Sequence, residues 1–111
     1  MALDPGGFSI STSEDDGRVV VQLRGELDLA TAPELEELIV ERLDAGQAVV
    51  LDLRELEFMD SSGLRVIIAA HARAGRGGPR FTIVRPPADG AVARILTIAG
   101  VQDELDLIDE P

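Results

Sequence analysis

Asp60, Ser61, Ser62 and Gly63 put a carboxylate and two hydroxyls side by side between apolar stretches. A serine becomes a nucleophile when a base within about 3 Å takes its proton. The sequence holds a single histidine, His71, ten residues after Ser61. If both lie on one helix, a rise of about 1.5 Å per residue separates them by about 15 Å, too far for that hydrogen bond. The stretch also lacks the G-x-S-x-G pattern of a strand-to-helix nucleophile elbow. Together these argue against a serine hydrolase. A second chemistry remains. A short loop after a buried strand that opens into a helix is where sites cluster in open α/β sheets, and the positive end of a helix favours a phosphoryl group. A purely structural reading stands beside it. Asp60, Ser61 and Ser62 are all good helix caps, and a glycine at position 63 permits close packing.

Other candidates are weaker. Asp28, Asp60 and Glu57 form an acidic trio without a fixed ligand spacing such as that of an EF-hand loop, so no metal site is expected. Asp28 equally suits an Asx turn ahead of a helix. Gly75 to Pro79 (GRGGP) lacks the lysine of a phosphate loop, and all 10 basic residues of the chain are arginine, so it reads as a turn. His71 reads as a helix-surface or rim residue. With no cysteine there is neither a disulfide nor a thiolate.

The elements that must position the serine loop alternate along the chain. Residues 1–7 read as a flexible tail and 8–111 as one domain. Phe8 to Ser13 and Arg18 to Gly25 flank an Asp-Gly turn and read as a hairpin. Thr31 to Gly46 predicts a helix. Thr31 and Glu34 have the spacing of a capping box, Pro33 falls in the first turn, Leu35, Leu38, Ile39 and Leu43 repeat at helical spacing with Leu35, Leu38 and Ile39 facing inward, and Gly46 ends it. Glu34, Glu37 and Glu41 then face water. Ala48 to Leu53 (AVVLDL) has the unbroken apolar run of a strand buried on both faces. Arg54 to Gly63 reads as a loop, followed by a helix from about Ser62 to Ala74. In that helix Leu64, Ile67 and Ile68 are expected in the core, and Arg65, Ala69 and Ala72 outside. Arg80 to Val84 is a strand. Asp89 to Gly100 is a third helix, with Asp89 as its cap and Gly100 as its terminator. Glu104 to Ile108 is a closing edge strand. Helices alternating with strands imply parallel crossovers with helices packed on the sheet.

Composition narrows the function. The 111 residues are 45% apolar but 3% aromatic, so the core is aliphatic. A formal net charge of -11 repels nucleic-acid phosphates and anionic lipid, which argues against both partners and fits a protein with a basic surface. No stretch approaches the roughly 20 apolar residues of a membrane span, and the first residues, MALDPGG, lack the basic and apolar regions of a signal peptide. The expectation is a cytoplasmic protein.

Gly25 to Leu35 (GELDLATAPEL) and Val49 to Ile68 (VVLDLRELEFMDSSGLRVII) together resemble the bacterial anti-sigma factor antagonists, which are STAS domains. The likeness runs from about Phe8 to Ile108. It implies an α/β fold of STAS type: a mixed four-to-five-stranded sheet, built from an N-terminal β-hairpin and parallel βαβ units, with helices packed on it. It also implies a regulator in place of an enzyme, with no cofactor. The unphosphorylated form would bind an anti-sigma factor serine kinase and so release a sigma factor. The kinase would phosphorylate the serine after the motif aspartate, here Ser61, and a metal-dependent serine phosphatase would reset it. Asp60, Ser62 and Gly63 would shape the loop, and Asp28 would lie close by. By spacing alone, Arg65 lies four residues after Ser61 on the same helix face, placed either to contact the phosphate or the kinase's nucleotide or to stand as a solvated surface arginine. Many relatives carry a smaller residue there. Family members commonly close with a further helix, whereas Asp109-Glu110-Pro111 follows Ile108 here. The expected state is a monomer or weak dimer. Two rival readings remain open: a phosphorylation-independent STAS scaffold subunit of a lipid ABC transporter or stressosome-like assembly, and a nucleotide-binding or hydrolytic enzyme.

Overall fold

The computed structural model describes residues 7–75 and 80–111. The expected tail, apart from Gly7, and the Gly-Arg-Gly-Gly-Pro break, apart from Gly75, lie outside the described residues. The element order is β1 (Ser9–Asp15), β2 (Arg18–Leu27), α1 (Ala32–Asp44), β3 (Ala48–Asp52), β4 (Leu56–Met59), α2 (Ser61–Ala74), β5 (Phe81–Val84), α3 (Ala91–Ala99) and β6 (Leu107–Ile108).

The mixed α/β architecture is the expected one, built around β2. The hairpin sets β1 antiparallel on one side of it, from Ser9 opposite Arg24 to Asp15 opposite Arg18. On its other side β2 is long enough to serve two parallel partners. Arg18 to Gln22 pair with β3, and Gly25 to Leu27 pair with β4. β5 and then β6 extend the sheet beyond β3, both parallel. The sheet therefore has six strands. The extra one is β4, whose residues the sequence pattern assigned to a loop. Four residues with two glutamates among or beside them carry little strand signal, and β4 exists because the second half of β2 offers it a free edge. The changeover falls at a register shift between Gly25 and Glu26. Gly25 has φ +87°, and a Cβ there would lie 2.8 Å from the Gly7 carbonyl oxygen, so only glycine fits.

β3 is buried along Val49 to Asp52, as its apolar run predicts. α1 buries Ala32, Leu35, Ile39 and Leu43 and leaves Leu38 half-buried, while Glu34, Glu37 and Glu41 face water. α1 and α2 pack on one another and on the sheet, and α3 packs on β4. The core is aliphatic, with Leu23, Leu27, Leu35, Ile39, Leu51, Ile67 and Ile83 sealed from solvent. Asp52 is buried among them, and Arg54 holds it with two side-chain bonds of 3.0 and 2.8 Å and a backbone N–H bond of 3.0 Å. Burial pushes the Asp52 carboxyl up, but the bonds and charge of Arg54 more than offset this and hold it below the usual carboxylate range.

Several local expectations are corrected. The Thr31–Glu34 capping box does not form. Thr31 is the N-cap residue of α1 but sits at φ -104°, ψ -21°, in the helical region, where its hydroxyl cannot reach the first-turn N–H groups. Asp89 does not cap α3. Gly90 occupies the N-cap position without a side-chain bond, whereas Gly100 ends the helix in the left-handed conformation as expected. The last strand is confined to Leu107 and Ile108, because Glu104 and Leu105 donate to the Val101 carbonyl in a turn. Ile68 is not in the core. The inner face of α2 runs through Gly63, Val66, Ile67, Ala70 and Ala74, and Ile68 lies about 100° round from Ile67 and is 42% exposed. Leu64 is half-buried, and Arg65, Ala69 and Ala72 are exposed.

Candidate functional site at the start of α2

Because β2 and β4 are parallel neighbours, their last residues, Leu27 and Met59, pair side by side. The residues that follow, Asp28 and Asp60, leave the sheet at the same end. The Asp60 N–H donates to the Leu27 carbonyl at 3.1 Å and ties the two exits together. Two aspartates far apart in sequence thus stand at adjacent strand ends, each opening a helix.

Asp60 is the cap of α2. Its backbone is extended, at φ -104°, ψ -170°, and its Oδ1 accepts from the N–H of Ser62 at 2.8 Å and of Gly63 at 3.4 Å. Its carbonyl takes the first intrahelical bond, from Leu64 N at 3.1 Å. Of three possible caps the aspartate does the work, and the helix starts one residue earlier than expected, at Ser61. Gly63 lets α2 sit directly on the sheet. A Cβ at this position would lie 2.7 Å from Leu27 Cδ2 and from Met59 Cγ. Helix packing therefore accounts for Asp60 and Gly63. It does not account for Ser61, which is exposed at the first helical position, outside the cap; Ser62 is half-buried.

Asp28 forms an Asx turn. Its Oδ1 accepts from Ala30 N at 3.0 Å and Thr31 N at 3.2 Å, and the Thr31 hydroxyl turns back to accept from Asp28 N at 2.9 Å. This hydroxyl packs against the strand end instead of capping α1, a pairing hidden from a sequence window. Arg65 is exposed one turn along α2 from Ser61 and makes no ion pair among the described residues. Leu29, Phe58 and Ile68 add exposed apolar surface, at 75%, 42% and 42%. Leu29 follows Asp28, Phe58 pairs with Glu26 on β4, and Ile68 is two turns along α2 from Ser61. This apolar set was not legible in the sequence, although the i, i+3, i+4, i+7 series from Gly63 excludes Ile68 from the core.

The remaining candidates stand apart. His71 is half-buried further along α2, beside a depression shared with Arg80, Phe81 and Asp106, and the helix holds it away from Ser61. Glu57 is exposed on β4, and no group of three or more histidine or carboxylate side chains is set for a metal ion among the described residues. No described helix is long and apolar enough to cross a membrane.

A protein family described as "Mlab, STAS domain" matches residues 10–109. The chain belongs to the STAS-domain family. This STAS domain is 35% identical over 91 residues to the anti-sigma-F factor antagonist RsfB of Mycobacterium tuberculosis, covering 81% of this chain and 71% of the relative. It is 28% identical over 97 residues to the anti-sigma-B factor antagonist of Staphylococcus aureus, covering 86% and 88%. The crystal structure of an anti-sigma factor antagonist from Mycobacterium paratuberculosis matches with a TM-score of 0.84 at 28% identity, over 98% of this chain and 92% of that one. At the level of fold alone, SpoIIAA matches as well, with a TM-score of 0.70 in its unphosphorylated form at 20% identity, covering 94% of this STAS domain and 89% of SpoIIAA. The Bacillus SpoIIAA structure in the phosphorylated form gives 0.71 at 19% identity, covering 93% and 92%.

Proposed function

We propose that this STAS domain is an anti-sigma factor antagonist that works by partner switching. Unmodified, it binds an anti-sigma factor of the serine-kinase type and frees a sigma factor; phosphorylated on Ser61, it lets go. The observation that carries this reading is that Ser61 is exposed at the start of α2 while Asp60 makes the cap. Its hydroxyl can reach a kinase without any loss of helix. Transfer from ATP forms the Oγ–P bond, breaks the bond between the γ-phosphorus and the bridging oxygen, releases ADP, and gives the serine proton to a base of the kinase. A metal-dependent serine phosphatase reverses the state by hydrolysis, returning serine and inorganic phosphate.

The switch is local. Phosphate brings about -1.5 to -2 charges at neutral pH, beside Asp60 and the neighbouring Asp28 exit, with Leu29 and Ile68 exposed on the segments after Asp28 and Ser61. Docking on such a surface removes water, so a new dianion there disfavours the complex, and about 1.4 kcal/mol is already a tenfold loss of affinity. The fold need not change. SpoIIAA matches this chain about equally well in its unphosphorylated and phosphorylated forms, with TM-scores of 0.70 and 0.71. RsfB and the Staphylococcus aureus relative are both named as antagonists of anti-sigma factors.

A second reading has an observation in its favour. Capping and packing fully account for Asp60 and Gly63, as a phosphorylation-independent scaffold subunit of a lipid transporter or stressosome-like assembly would require. Wild-type and Ser61→Asp proteins used as parallel baits in lysate of the source organism separate the two. Capture of a kinase-type anti-sigma factor by the wild type alone supports the switch. Equal capture of one partner by both baits, or recovery of transporter subunits, supports the scaffold.

A further inference from the structure

The Ser61 phosphate would stand in an acidic neighbourhood. Asp60 precedes it with its carboxylate committed to the helix N-terminus, and the Asp28 carboxylate closes the Asx turn at the adjoining strand end. Glu57 is exposed on β4, which leads to the same end of the sheet. Each of these charges disfavours the second ionisation of a phosphoserine, which ordinarily titrates near pH 6. The α2 N-terminus favours the dianion, and these carboxylates work against it.

Arg65 is placed to oppose them. It follows Ser61 by four residues on α2, so the two side chains share a face one turn apart. The chain carries 21 acidic and 10 basic residues, and Arg18, Arg54, Arg73, Arg80 and Arg85 each hydrogen-bond a carboxylate, whereas Arg24 and Arg94 make no ion pair among the described residues. Arg65 likewise makes none among the described residues and is exposed beside the acceptor serine. Asp60, the acid nearest in sequence, turns its carboxylate to Ser62 and Gly63 instead. A guanidinium presents paired donors that match two phosphate oxygens, and its charge persists at any working pH.

We propose that Arg65 clamps the phosphate on Ser61 and favours its dianionic form. The inference rests on Ser61 being the acceptor and adds a positioning residue to that switch. The unmodified protein gives the clamp nothing to bind, so it acts in one state and not in the other.

The test installs phosphoserine at position 61 during translation, so no kinase is needed, and follows the phosphate by ³¹P NMR through a pH titration at low salt. With Arg65 present the midpoint should lie about 0.2–0.4 pH unit below that of the Arg65→Gln protein. Arg65→Lys should restore part of the shift, and molar salt should shrink it, because the contact is exposed. Equal midpoints for wild type and Arg65→Gln would overturn the clamp, as would a difference that salt leaves untouched. Circular dichroism checks that all three proteins keep their helices. Failure of the parent reading looks different. A cognate kinase that leaves Ser61 unmodified removes the switch, while the titration still reports whether Arg65 holds the phosphate.

Discussion

Gly63→Ala tests the seating of α2 on the sheet. The new methyl would stand 2.7 Å from Leu27 Cδ2 and from Met59 Cγ, and 2.8 Å from Leu27 Cγ. Normal carbon–carbon contacts are about 3.5–4.0 Å, so something must move by most of an ångström. Leu27 and Met59 are 0% and 1% exposed, so neither can relieve the contact by swinging into solvent. Over-packing of this kind costs about 1–3 kcal/mol. Alanine recovers up to about 1 kcal/mol of helix propensity, less in the first turn. The net expectation is a loss of about 1–2 kcal/mol. At an unfolding entropy of about 2.1 cal/mol/K per residue, 111 residues convert this to a fall in Tm of about 4–9 °C. With neither Trp nor Tyr in the chain, unfolding is best followed by circular dichroism at 222 nm, in heat and in urea. Met59→Ala provides the internal check. It opens space on one side of the clash, so the double variant should be more stable than the two single losses predict, by about 0.5 kcal/mol or more. A Gly63→Ala protein as stable as wild type, or strictly additive effects, would refute the claim that this glycine is required by contact.

Asp60→Ala removes the cap bonds to Ser62 and Gly63 and should cost about 1 kcal/mol in urea unfolding, whereas Asp60→Asn should lose much less, since asparagine caps nearly as well. Asp52 is held below its ordinary value of 3.8 in the folded chain, so its contribution to stability is full above about pH 4 and fades as pH falls through the depressed folded value. The gap in urea midpoint between wild type and Asp52→Asn should accordingly narrow below pH 4, and a gap that stays constant into acid would contradict the assignment. Ser61→Ala should leave stability within about 0.5 kcal/mol of wild type by thermal unfolding, because the hydroxyl takes no part in the cap. It should also abolish phosphate incorporation by a cognate kinase, measured by intact-protein mass spectrometry. Thr31→Val should destabilise the β2–α1 junction by about 1 kcal/mol or more, as it strips the Asp28 N–H of its partner.

Some of this protein was written locally. The hairpin followed from β-branched residues about an Asp-Gly turn, the inner face of α1 from the spacing of Leu35, Ile39 and Leu43, and the burial of β3 from its unbroken apolar run. The stretch from Asp60 to Gly63 announced a helix opening because each of those residues has a strong short-range preference. Which of them caps and which is left exposed was not written there, since aspartate and serine compete on nearly equal terms. The choice was made by backbone geometry, with Asp60 held extended by its bond to Leu27 and Gly63 pressed onto Leu27 and Met59. β4 is the same lesson at larger scale. Its four residues become a strand because β2 outlasts β3 and leaves an edge to pair with, and that long-range fact also brings Asp28 beside Asp60. Thr31 had the sequence of a cap but is drawn back to the end of β2, where Asp28 N needs an acceptor. Short-range preference therefore determined the order of elements and the identity of the candidate loop. Pairing between distant strands, which no local window contains, decided which side chains the loop buries, which it spends on hydrogen bonds, and that Ser61 is left facing solvent.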